Sequence, residues 1–111
     1  MIRPADMPGV AFGDATDGDP RRDEAVQNRM STSLGISGGW AWMRQVHGAS
    51  VVEANAPGEM GEADAAFTTV RGLAIAVATA DCFPVVLQAD RGVGVAHAGW
   101  RGVAAGVVQA L

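Results

Sequence analysis

Residues 93–102 read Val-Gly-Val-Ala-His-Ala-Gly-Trp-Arg-Gly, and within these ten positions a strand gives way to a helix. Val93 to Ala96 is a short apolar run of the kind that forms a strand. From Trp100 the spacing changes. Val103, Val107 and Leu111 recur at i, i+4 and i+8, and Ala104, Ala105 and Val108 widen that apolar face. One continuous, buried helix is expected there, with Trp100 packed in the core ahead of the alternative that it stacks on a flat ring. Between strand and helix stand His97 and Arg101, with Gly99 and Gly102 beside them. An imidazole and a guanidinium bind metals and anions, whereas strands commonly end in plain turn residues.

Working outward, Asp90-Arg91-Gly92 reads as a hairpin turn that joins Val93–Ala96 to a strand over Pro84–Gln88. Leu73–Thr79, rich in Ala, Ile and Val, is expected to be a strand buried on both faces. The residues from Asp81 to Pro84 break the pattern. Further strands are expected at Trp40–Gln45, Val51–Ala54 and Ala66–Val70. Ala56–Asp64, with Pro57, Gly58 and Gly61, reads as a polar loop. Asp19-Pro20 suits a helix start, followed by Asp23 and Glu24 at the positive end of the dipole. Val26, Met30 and Leu34 form the apolar stripe, and Gly35 can end the helix. Met1–Gly18 reads as an irregular lead-in. Together these elements make an α+β fold.

A length of 111 residues suits one domain, 1–111, and a hydrophobic fraction of 49% supports a core. A net charge of −4 with no basic run argues against a nucleic-acid partner. The single cysteine excludes an internal disulfide and fits a reducing cytoplasm. Met1–Gly9 has no apolar core of a signal peptide, and no run approaches the roughly 18 apolar residues of a membrane span. No membrane partner is expected. The final apolar stripe reaches Leu111 without a capping glycine or terminal charge. The expectation is a chain truncated in mid-helix, or one that self-associates through that uncapped helix.

The chain has two histidines and one cysteine, and His47, Cys82 and His97 each fall at the end or edge of a strand-like segment. Two imidazoles and a thiolate suit a catalytic zinc site with one position open to water. Copper favours the same donors. The same residues also admit a Cys–His hydrolase, with Cys82 the nucleophile and His47 or His97 its base. Asp81 could be a general base, a group orienting a histidine, or a turn former. Arg101, at the helix start, suits a phosphate or carboxylate, or a surface acid. No Gly-x-Gly-x-x-Gly fingerprint, Walker lysine or Gly-x-Ser-x-Gly elbow is present.

Three segments together resemble the laccase-domain, or multicopper polyphenol oxidoreductase-like, family. They are Gln45-Val46-His47-Gly48, Thr79-Ala80-Asp81-Cys82 through Pro84-Val85-Val86-Leu87, and Ala96-His97-Ala98-Gly99-Trp100-Arg101-Gly102. Ala63-Asp64-Ala65 with Thr68, and Gly18-Asp19 and Asn28-Arg29, also resemble family positions. The lead-in lacks the family's usual Thr-Arg-x-Gly-Gly stretch, and family members are about twice as long. The resemblance implies mixed β-sheets flanked by helices in an α/β/β/α layered sandwich. It implies a zinc site at His47, Cys82 and His97, and activity on purine nucleosides. Adenosine would be phosphorolysed to adenine and ribose 1-phosphate or deaminated to inosine, with inosine and methylthioadenosine as further substrates. Arg101 would contact the phosphate. Other descriptions of family members imply a copper polyphenol oxidase or a peptidoglycan-precursor editing hydrolase. A short chain of this kind could also be an inactive fragment that needs a partner chain.

Overall fold

The computed structural model describes residues 1–111 and contains three helices and seven strands: α1 (Glu24–Leu34), β1 (Trp40–Arg44), β2 (Val51–Glu53), β3 (Gly58–Glu62), β4 (Ala65–Thr68), β5 (Ala74–Ala76), β6 (Phe83–Ala89), β7 (Gly92–Ala98), α2 (Trp100–Ala104) and α3 (Val107–Ala110). The strands form two sheets. One is parallel, in the order β3-β1-β5. The other is mixed, in the order β2-β4-β7-β6.

Alternation along β1 explains the layering. Trp40 and Trp42 face α1, where Val26, Met30 and Leu34 pack on them. Met43, from the opposite parity, meets Ala66 and Val95 of the second sheet, with Val52, Ile75 and Val86 around them. The far face of the second sheet presents Ala65, Ala96 and Ala98 to Val107 of α3. The order helix, sheet, sheet, helix is the layered α+β architecture that the family resemblance implied. No helix is long and apolar enough to cross a membrane.

Several elements follow the sequence closely. The Asp90–Gly92 turn joins β6 to β7 in antiparallel register, Ala89 opposite Gly92 and Pro84 opposite His97. Gly35 ends α1 in the left-handed region, its N–H donating to the Ser31 carbonyl.

Four expectations need correction. The helix starts at Glu24 rather than at Asp19-Pro20, because the Asp23 carboxylate accepts from the Ala25 and Val26 N–H groups. The Asp19 carboxylate is instead bound to the Arg21 guanidinium at 2.7 Å. The supposed loop at 56–64 contains β3, a strand without an apolar stripe. Its pairing with β1 and the exposed Arg44–Glu59 ion pair at 3.0 Å hold it. The run Leu73–Thr79 yields only the three residues of β5, half-buried rather than covered on both faces.

The C-terminal helix is not continuous. Gly106, at φ 88°, breaks it into α2 and α3 and shifts the phase of the stripe. Val107 is fully buried whereas Val103 is 52% exposed, so the uniformly buried helix does not form.

Candidate metal centre

The site forms at one end of the layer between the sheets. Asp64 and His97 extend the register that pairs Ala66 with Val95, so they continue the inward-facing row of the β4–β7 ladder. The main chain ties them as well, with His97 N–H donating to the Asp64 carbonyl at 2.7 Å.

Asp64 is fully buried and its carboxylate has four partners. The N–H groups of Val46, His47 and Gly48 donate to it at 3.0, 2.9 and 2.9 Å. His97 Nδ1 lies 2.7 Å from Oδ2. Three successive N–H groups converging on one anion form a nest, which requires a left-handed residue. His47 supplies it, at φ 61°. Burial pushes the Asp64 carboxyl up, but the His97 hydrogen bond and the three N–H donors outweigh it. The net displacement is below the ordinary carboxylate value. An ionised carboxylate only accepts, so His97 Nδ1 carries a proton, and in the neutral imidazole Nε2 is then the nitrogen with a lone pair for a metal.

Cys82 completes the cluster from the segment between β5 and β6. One ligand atom from each of His47, Cys82 and His97 lies within 4.8 Å of the others. The two imidazole rings meet edge-on with centroids 4.9 Å apart. Gly99 makes room for this. A Cβ there would stand 2.9 Å from Cys82 Sγ and 3.4 Å from His47 Cδ2. Ligands of one tetrahedral zinc ion lie about 3.5 Å apart, so small side-chain adjustments bring the three donors onto one ion. The donor set, the oriented histidine and the glycine clearance all fit a zinc ion.

A cavity of about 290 Å³ opens over this cluster, lined by His47, Cys82, Gly99, Trp100 and Arg101. Trp100 is 78% exposed, which corrects its expected place in the core. It opens a five-residue helix whose buried residue is Gly102, just where the chain leaves β7. The Arg101 guanidinium stands 5.1 Å from the Trp100 ring centroid, a cation–π pair in the cavity wall. Asp81 is exposed and outside that wall. The carboxylate that orients a histidine is Asp64. A larger cavity, about 750 Å³, lies between the lead-in and the sheets and contains none of the three ligands.

The sequence signals Asp64 in two ways, by the family resemblance of Ala63-Asp64-Ala65 and by a carboxylate set among alanines, where an unpaired charge could not be buried, but neither gives it a role.

Fold and site define a layered α+β protein with a candidate His–Cys–His centre capping its core. Residues 5–111 match the family described as multi-copper polyphenol oxidoreductase laccase, and the chain belongs to that family. Curated relatives carry the name purine nucleoside phosphorylase. The chain is 39% identical over 111 residues to one from Pseudomonas aeruginosa, a match covering 98% of this chain and 45% of the relative. It is 47% identical over 106 residues to one from Streptomyces coelicolor, covering 89% and 43%. It is 37% identical over 93 residues to purine nucleoside phosphorylase YfiH of Escherichia coli, covering 81% and 38%. The chain spans less than half the length of these relatives.

Proposed function

We propose that this chain carries the metal centre of a zinc-dependent purine nucleoside phosphorylase that also deaminates adenosine. The convergence of His47, Cys82 and His97 beside an open cavity carries the reading. The relatives' names supply the substrate class. His47, Cys82 and His97 would hold the zinc, with Asp64 fixing the His97 tautomer. A zinc ion held there supplies Lewis acidity and brings the pKa of a bound water to about 7.

The protein's own groups divide the remaining work. Arg101 lines the cavity as an exposed cation and is assigned to the phosphate co-substrate. In phosphorolysis a phosphate oxygen bonds to ribose C1′ while the C1′–N9 bond breaks, giving ribose 1-phosphate and the free purine. Deamination exchanges the adenine amino group for water oxygen and releases ammonia. Asp81, exposed beside Cys82 and outside the cavity wall, is assigned as a general base acting through water. Inosine and methylthioadenosine belong to the same substrate class.

The family's description as a multi-copper polyphenol oxidoreductase favours a copper oxidase on phenols. The nucleoside reading stands ahead because the curated relatives carry the name purine nucleoside phosphorylase. The test is incubation with adenosine and phosphate, with separation of products. Adenine or inosine above a Cys82→Ala control is the expected result. Product formation equal to that control would overturn the reading.

A further inference from the structure

Cys82 is the last residue of a connection that the β6–β7 ladder holds at one end, through the Phe83–Ala98 pair, and that no ladder holds on its β5 side. β5 ends at Ala76 and β6 begins at Phe83. Between them, no residue from Thr79 to Cys82 takes part in a backbone hydrogen bond outside the helices and strands. One pair of contacts intervenes. Gln45 Nε2 donates to the Ala78 carbonyl at 2.7 Å, and Ala78 N–H donates to Gln45 Oε1 at 2.9 Å.

The pairing has the form of a β-ladder rung. β1 and β5 run parallel, with Trp42 opposite Ala76 as their last paired residues. Gln45, just past the end of β1, uses its side-chain amide as a substitute peptide and adds one rung at Ala78. Only a primary amide presents a donor and an acceptor in that arrangement. Two residues along the same chain stands His47, and four residues beyond Ala78 stands Cys82. The rung therefore links the two less buried ligands of the cluster from outside it.

The geometry points to Gln45 as a positioning residue that holds the Cys82 arm in reach of the metal. This inference rests on the His47–Cys82–His97 reading. Without the rung, the connection from Val77 to Cys82 is fixed only at its two strand ends, Ala76 and Phe83. The thiolate then orders only when metal binds, and the ordering cost appears as lost affinity.

The experiment is cobalt(II) titration of the metal-free chain, wild type beside Gln45→Ala, with Cys82→Ser as reference. Thiolate-to-cobalt charge transfer in the near ultraviolet reports Cys82 ligation. The visible ligand-field bands report the site as a whole. Gln45→Ala is expected to fold, to bind cobalt about 10–100-fold more weakly, and to show a diminished thiolate band. Gln45→Asn, one methylene short of Ala78, is expected to fail to rescue. If Gln45→Ala does not fold, Gln45→Glu carries the test, because it keeps the length but sets a carboxylate oxygen against the Ala78 carbonyl. The same weakening is expected from it. Wild-type affinity and band intensity in either folded variant would overturn the positioning role alone. Absence of a thiolate band in the wild type would overturn the metal centre and this role with it.

Discussion

The two sides of the candidate centre are held in opposite ways. On one side His97 is buried in the β4–β7 ladder, hydrogen-bonded to a buried Asp64 that also gathers the His47 loop. On the other, Cys82 ends the connection between β5 and β6, held by the Phe83–Ala98 pair on its β6 side and by the Gln45 side chain at Ala78 on its β5 side. The first side is part of the fold; the second is brought to it. Orientation of a metal ligand and stability of the protein are therefore one problem at His97 and separate problems at Cys82.

The largest effect should come from the buried side. Asp64→Ala strands three N–H groups and removes the partner of His97. A loss of about 3–5 kcal/mol in denaturant unfolding is expected. Cys82→Ala removes a thiol from a half-buried position and is expected to change stability by less than about 1 kcal/mol. Equal losses would erase the comparison.

Next in size is Gly99→Ala. Its Cβ would press on Cys82 Sγ at 2.9 Å, and the thiol arm is the side free to yield. Metal affinity should fall about tenfold or more, with a melting temperature near that of wild type. A fall in melting temperature with affinity intact would show that the Cys82 arm is as rigid as the ladder.

The smallest effect is a pH dependence. The Asp64 carboxyl titrates below the ordinary range when folded, so it binds a proton more readily unfolded. Its contribution is complete above about pH 5 and is lost as pH falls through the lowered folded value. Thermal melts of the metal-free chain from pH 7 to pH 3 should show this acid loss. They should show a shallower curve for Asp64→Asn and the wild-type slope for Cys82→Ala.

What the sequence revealed follows the same division of forces. The β6–β7 hairpin and the α1 stripe were readable because apolar spacing and turn chemistry act locally. The three ligands stood out by residue type. β3 was not readable because main-chain pairing and exposed charges hold it, and neither produces an apolar pattern. Asp64 does not stand out as an anchor because three of its four partners are backbone N–H groups 16 to 18 residues away, invisible in side-chain identities, and the fourth, His97, is 33 residues away. Trp100 misled for the opposite reason, since an aromatic residue normally signals a core and here forms a cavity wall. The break at Gly106 was hidden because a single glycine within a Val and Ala run resembles a tolerated helix residue.

The central claim is that His47, Cys82 and His97 form one metal centre, and elemental analysis of the purified chain tests it most directly. Wild type should be measured beside His97→Ala and Cys82→Ala. The expected result is about one equivalent of zinc per chain in the wild type and loss of that metal in both variants. Equal metal content in all three proteins would contradict the account.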